Sequence, residues 1–298
     1  MTDDQRLRSS DLPELFRVAD AASLEGQRLY IRGTRLRLVL AVTAAALAAV
    51  SLKFGDGWDL PALIVAVVFL GTLVLEIWLL GRSPERDWYD GRALAESVKT
   101  LSWRYAVAAT PFSASLSDED AERHYVSEAE KLIDDAPATS VIVTAPLGVT
   151  DAMLALRRTG LTTRRDLYLK NRIGDQLTWY STKARFNADG ARRWRLILIL
   201  IEALGVIAAA LRAFGAVDID LPGILAALLG SGTAWLAVRQ YDAQSRAYAF
   251  AAKDLGTIHN GLRTIASETE WAVHAADAEE AISREHTMWR ASRGAYGG

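Results

Sequence analysis

The sequence predicts an all-α membrane protein with two transmembrane helical hairpins, four spans in all, and a cytoplasmic helical, coiled-coil body. Three observations predict it. Four apolar stretches cover residues 36–54, 60–80, 194–214 and 219–238. Each is roughly 18–21 residues long, enough at ~1.5 Å per residue for the ~30 Å hydrocarbon core. They form two close pairs joined by a handful of residues, as hairpins require. Charged segments with helical periodicity lie between and after the pairs.

The elements follow in order. Asp11-Leu12-Pro13-Glu14 reads as a helix start, with Asp as N-cap and Pro in the first turn. In the first span Ala41, Ala45 and Ala49 form a small-xxx-small row. Gly55-Asp56-Gly57 makes the turn, and Pro61 fits the first turn of the second span. Ser83-Pro84-Glu85 then reads as N-cap, first helical residue and acidic first turn. The amphipathic helix that follows, to about Ala109, has an apolar side of Trp88, Leu94, Val98, Leu101 and Tyr105. Ser117 to Asp135 is an acidic helix. Ser140 to Thr144 is extended in character and marks a linker. Thr150 caps a short helix, and a longer one from Thr163 keeps its stripe into the third span, so one helix is expected to run on without a break. After the fourth span Tyr241, Tyr248, Leu255 and Leu262 recur every seven residues, with Gln244, Ala251, Ile258 and Ile265 three positions later. This is an a/d seam. It suits a core within one subunit and an intersubunit coiled coil equally. Ser267-Glu268-Thr269-Glu270 reads as a capping box opening the last helix.

The expected domains are a first half, 1–137, with cytoplasmic helices over 84–135; a linker, 138–149; and a second half, 150–298, with cytoplasmic helices over 163–193 and 239–292. The halves repeat an architecture (helix, hairpin, helix) with little identity of letters. The first apolar run begins after more than thirty polar residues, so a retained span is expected rather than a signal peptide. Arginines flank the outer ends of both hairpins, among them Arg35, Arg37, Arg82, Arg192, Arg193 and Arg239. The tips carry Asp56, Asp59, Asp218 and Asp220 against Lys53 and Arg212. The positive-inside rule places both termini and the segment between the hairpins in the cytoplasm of a multi-pass inner-membrane protein.

Composition narrows the chemistry. The chain has 298 residues, 51% hydrophobic, with a net charge of -2, so no basic field points to nucleic acid. There is no cysteine, which excludes disulfides, thiolate catalysis and Cys-based zinc sites. The four histidines lack ligand spacing. No phosphate-cradling loop or GxSxG elbow is present, so no enzyme, metal or cofactor is expected. Gly230-Ser231-Gly232 lies within a span and reads as close helix packing.

Asp87-Trp-Tyr-Asp-Gly-Arg-Ala-Leu-Ala-Glu-Ser-Val-Lys-Thr100, with Trp103-Arg104-Tyr105 and Pro111-Phe112, resembles one subtype of the SLATT domain. Tyr168, Arg172-Ile173, Asp175-Gln176, Trp179-Tyr180 and Lys183-Ala184, with Ala281-Ile282, Glu285-His286 and Trp289, are similar to another. The name denotes two-transmembrane effectors associated with SMODS nucleotide cyclases and SLOG proteins. The resemblance implies a bacterial inner-membrane effector in anti-phage or related defence, oligomeric, and pore-forming or membrane-disrupting when a nucleotide-based alarm is raised. Its partners would be the lipid bilayer, further copies of itself, and a nucleotide second messenger or a separate sensor protein. A competing function is a non-conducting membrane scaffold that recruits a soluble partner through its helical body.

Candidate sites follow. Glu76 and Glu202 lie about six and seven residues inside Arg82 and Arg195, roughly 10 Å into the spans by helix rise. They either line a cation path or pair with nearby arginines. Arg92, Glu96 and Lys99, with Gln176, either receive a charged ligand or couple subunits; helix-surface pairing is the simpler account of Arg92 and Glu96. Glu285-His286 offers a protonation site or a packing contact beside Trp289. Trp58, Trp78, Trp194 and Trp235 read as interfacial anchors.

Overall fold

The computed structural model describes residues 7–49, 53–54, 58–136 and 146–294; the side chains of 53–54, 58 and 284–294 fall outside that description. The tip Gly55-Asp56-Gly57, the linker segment Ser140–Thr144, and the side chains of Trp58, Glu285, His286 and Trp289 therefore lie outside the described residues.

The fold is all-α. A 3-10 turn, Ser9–Asp11, precedes α1 (Glu14–Ala48), and two-residue strands β1 (Lys53–Phe54) and β2 (Trp58–Asp59) pair antiparallel ahead of α2 (Leu60–Arg82). Then come α3 (Pro84–Ala106), α4 (Asp118–Asp134), α5 (Asp151–Arg157) and α6 (Leu161–Tyr168). A π-helical segment, Leu169–Gly174, leads into α7 (Asp175–Ala213), followed by α8 (Leu221–Arg239), α9 (Tyr241–Leu262) and α10 (Glu268–Gly294). Asp11 accepts from the Arg8 N–H in the 3-10 turn at 2.8 Å, so it closes that turn, and α1 starts after Pro13.

Three helical stretches, Leu60–Ala106, Leu161–Ala213 and Leu221–Leu262, are long and apolar enough to cross a membrane. The first predicted span is described only in part, because α1 ends at Ala48 and residues 50–52 lie outside the described residues.

Both hairpins use the same local chemistry. Asp59 and Asp220 cap α2 and α8, accepting from the N–H groups of Ala62 and Gly223 at 3.2 and 3.3 Å, and a Pro stands in each first turn. Each helix then ends on a left-handed residue, Ser83 or Gln240, whose N–H donates to a carbonyl four residues back. Ser83 thus closes α2, where the sequence suggested the N-cap of α3.

The chain splits into two compact units, and each draws on both sequence halves. The hairpin unit comprises Arg28–Pro84 and Ala184–Arg246. A Cβ on Gly232 would come within 2.7 Å of Leu198, so that glycine sits where α7 and α8 approach closely, whereas Gly230 faces open space. The buried alanine near the predicted small-residue row is Ala44, and Ala41 is exposed. Trp235 is buried against Trp194 and lies under the guanidinium groups of Arg35 and Arg239.

The helical unit comprises Met1–Gln27, Glu85–Lys183 and Ala247–Gly298. Its core stacks Tyr168 edge-on between Trp103 and Trp271, with ring centroids 5.8 and 5.7 Å away. The loop after α3 is held from α10: Trp271 Nε1 donates to the Val107 carbonyl at 2.7 Å, and the Thr110 N–H donates to that of Ala272 at 2.8 Å. Buried Arg157 donates to the carbonyls of Phe112 and Ser113 in the same loop.

Helix α3 crosses α1 at Gly91, where a Cβ would sit 2.9 Å from the Ser23 nitrogen and 3.0 Å from the Ala19 oxygen. These are backbone atoms and cannot step aside. Gly91→Ala is therefore expected to destabilise the protein despite alanine's better helix propensity. Gly256→Ala in α9, where nothing lies within 4 Å, should stabilise it by about 0.5–1 kcal/mol. Thermal unfolding of the two variants in detergent checks the opposite signs.

Candidate functional site

A cavity of about 440 Å³ opens within the helical unit. Helix α3 supplies one wall: Arg92, Glu96, Lys99 and Trp103 are spaced to share a face, and all line it. The π-helical segment and the start of α7 supply another, with Asn171, Arg172, Asp175, Gln176 and Trp179. The chain before and within the first turns of α1 closes it with Arg8, Phe16 and Asp20. The four residues singled out on α3 and α7 thus meet around one space, although Gln176 is far from the others in sequence.

The π-helical turn is what presents this wall. Its wider ring inserts a residue into the helical register. Arg172 then turns inward, 1% exposed, while its neighbours Asn171 and Asp175 also reach the cavity. Beneath the wall lies a buried ion pair. Arg172 Nε and Nη2 donate to the two oxygens of Glu279 at 2.9 and 2.8 Å, and Glu279 is 0% exposed. The Tyr168 hydroxyl donates to the same carboxylate at 2.9 Å. Burial by itself would weaken the guanidinium's hold on its proton, but the Glu279 carboxylate more than reverses this and raises it. Burial, then Glu279, pushes the Tyr168 phenol well up, so that it stays a donor.

On the cavity wall, Arg92 is paired with Glu96 at 2.9 Å. Lys99 has no carboxylate within salt-bridge distance among the described residues. Burial, and then the like charge of Arg172, lowers its affinity for a proton below the usual lysine range. Among the described residues no group of three or more His, Asp or Glu side chains gathers into a metal-ligand set.

The other candidates are placed elsewhere. Glu76 accepts two hydrogen bonds from Arg37 Nη1, at 3.1 and 2.8 Å, which ties α2 to α1. Glu202 is exposed and has no partner among the described residues, and Arg195 turns to Asp242 at 2.9 Å. The seam on α9 is buried within one chain. Leu255 and Leu262 are 3% exposed in the core of the helical unit, and Tyr248 meets Trp179 edge-to-face with ring centroids 5.3 Å apart. Tyr241 packs in the hairpin unit, where a Cβ on Gly190 would reach its ring.

Residues 13–165 match the family described as SMODS and SLOG-associating 2TM effector domain 3. Residues 168–289 match SMODS and SLOG-associating 2TM effector domain 1. The chain belongs to the SLATT family. It carries two tandem SLATT domains of different subtypes, which meet within or just after α6. Such domains are associated with membrane effector roles in defence systems and are not known as enzymes. No curated protein and no solved structure matches the chain.

Sequence reasoning missed Arg8, Asp20, Asn171 and Glu279. Glu279 stands in an ordinary acidic stretch of α10, and only its position in the folded SLATT protein distinguishes it. Arg172 and Trp179 were visible as family letters, without a role attached.

Two expectations follow. Removing one partner of a buried ion pair leaves the other charge stranded, at a cost of about 3–5 kcal/mol, while replacing both with apolar groups is often neutral. Arg172→Met and Glu279→Leu should each lower the unfolding midpoint strongly, and the double variant should recover most of the loss; chemical denaturation of the full chain measures this. The lowered proton affinity of Lys99 gives a pH signature. Below its folded-state pKa the fold carries the cost of a charged amine, and the unfolded chain does not. Stability should therefore rise as pH climbs from that value towards 10.5. Lys99→Met should be more stable than wild type near neutral pH, with the gap closing as pH approaches 10.5 in thermal scans.

Proposed function

We propose that this SLATT protein is an oligomeric effector of the bacterial inner membrane that permeabilises the bilayer in anti-phage defence. Its trigger would be a nucleotide second messenger or a separate sensor protein. It spans the membrane four times, with the C-terminal part of α1 in the first span. Both termini and the helical unit lie in the cytoplasm.

The exposed apolar helices support the membrane placement. No residue in the most apolar window of α2 is buried, and Val67, Leu70, Val74 and Ile77 are each about 60% exposed. Leu196, Leu200 and Val206 stand out in the same way along α7, as does Phe214 just beyond its end. Surfaces of this kind need lipid or further copies of the chain to cover them. The arginines at the outer ends of both hairpins support the orientation.

The observation that carries the conducting function is Glu202. It is an exposed carboxylate without a described partner, set in the apolar part of α7. Facing lipid it would cost several kcal/mol, by roughly 2.5–3.5 on insertion scales. Facing a polar lumen between subunits, it would attract cations. Glu76 serves differently, since Arg37 already neutralises it and makes it a tie between helices.

The two glutamates should therefore part company under mutation. In reconstituted liposomes Glu202→Gln is expected to lower cation selectivity with the oligomer intact. Glu76→Gln should instead strand Arg37 and weaken assembly. Tracer flux and reversal potentials separate the outcomes. Wild-type protein that inserts and assembles yet passes no ions would favour the non-conducting scaffold.

A further inference from the structure

We infer that the hairpin unit holds the phosphodiester of an anionic membrane lipid at Arg35 and Arg239, beside the indole of Trp235. The site rests on the four-span placement proposed above, and it does not need the protein to conduct.

Two arginines far apart in the chain meet on one ring. Arg35 stands on α1 and Arg239 ends α8, and their guanidinium carbons lie 5.4 and 5.9 Å from the centre of the Trp235 ring. Arg239 also lies 5.1 Å from the ring of Tyr241. An aromatic face attracts a guanidinium but leaves the N–H groups at its edge, where they still need acceptors. Neither arginine donates a hydrogen bond to any described residue, and Arg239 Nε is buried without one. Neither has a carboxylate at salt-bridge distance among the described residues. Asp242, three residues beyond Arg239, is taken by Arg195 at 2.9 Å, and Glu76 answers Arg37, two residues beyond Arg35. Two like charges sharing one ring, with these carboxylates engaged elsewhere, make a place that a phosphate completes through charge-assisted bonds. Arg35 is exposed, so the place is open from outside.

The depth of the site selects a lipid as the source of that phosphate. Arg35 immediately precedes the first predicted span, Trp194 opens the third, and Arg239 immediately follows the fourth. All three fall at one end of the hairpins, where a bilayer changes from hydrocarbon to headgroups. Trp235 packs against Trp194 there, with ring centroids 6.5 Å apart. Apolar side chains begin at once on the membrane side: Leu36, Val39 and Leu196 are each about half exposed or more. A free phosphate ion would use the guanidinium groups alone. A phospholipid would use them and lay its acyl chains along the apolar helix faces. Two cations without a carboxylate favour a headgroup of net negative charge over a zwitterionic one, as in other basic pockets between spans on the cytoplasmic side. Because α1 belongs to the first hairpin and α8 to the second, a lipid held by both arginines ties the two hairpins together.

Binding is measured on the full chain in detergent with short-chain phosphatidylglycerol, short-chain phosphatidylcholine and inorganic phosphate. Phosphatidylglycerol should bind about tenfold or more tightly than phosphatidylcholine, and more weakly as salt is raised. Inorganic phosphate should not displace it at equal concentration. Arg35→Gln with Arg239→Gln should bring phosphatidylglycerol down to the level of phosphatidylcholine, with circular dichroism unchanged. Arg246→Gln, at an exposed arginine of the same unit, should leave the preference intact. If the double variant misfolds, the single Arg35→Gln at its exposed position and the wild-type comparison of the two lipids still decide. Equal binding of the two lipids would overturn the inference, as would a preference that survives the double variant. A loss as large in Arg246→Gln would assign the preference to a diffuse basic surface, and displacement by inorganic phosphate would assign the site to the free ion; either outcome also overturns it. Alkaline carbonate extraction and ion flux, measured on the same wild-type protein, separate this site from the permeabilising function. Protein released by carbonate sinks both, whereas protein that inserts and conducts without the lipid preference sinks the site alone.

Discussion

The bidentate pair of Arg172 and Glu279 constrains the helical unit more than any other contact. Two full charges removed from water are tolerable only when their geometry is good and their remaining hydrogen-bonding capacity is met. Tyr168 meets part of it, and the π-helical turn aims Arg172 at its partner. Around this point the aromatic rings of Trp103, Tyr168 and Trp271 close off solvent. Shifting α10 along its axis would break the carboxylate contacts and the hydrogen bond from Trp271 to Val107 together. The first half of the sequence contributes α3 to this core and the second half α10, so neither half completes it without the other.

The hairpin unit obeys a different constraint. Its helices carry apolar residues over most of their surface, so packing among them leaves much of that surface uncovered. Small residues and local caps matter more here than a central core. The Asp-Leu-Pro starts of α2 and α8, and the left-handed ends at Ser83 and Gln240, repeat across two halves that share few letters. The repeat survives because capping depends on a few residues at a helix end.

Much of the fold was legible in the sequence. The long apolar helices, the amphipathic face of α3, the Thr150 cap and the seam on α9 all rest on short-range patterns, and α3, α5 and α9 form where those patterns put them. The seam's partner was not legible. Tyr248, Leu255 and Leu262 would suit another copy of the chain as well as this one, and the fold spends them on its own core. The candidate site was half legible: Arg92, Glu96 and Lys99 share a helix face by spacing, and Gln176 stood out within the family letters. That these meet, and that Arg172 and two indoles complete the wall, no local pattern encodes.

The sequence by itself determined that this chain is helical, that its apolar runs are long enough for a bilayer, and where most helices start and stop. Those properties depend on residues within a turn or two of one another. Only the tertiary structure decided that Glu76 answers Arg37 across 39 residues and that Arg172 answers Glu279 across 107. It alone left Lys99 lining a cavity with no carboxylate at salt-bridge distance among the described residues. An ion pair forms where two helix faces are brought into register, and that register is set by the packing of the whole unit, while charge and spacing along the chain leave it open.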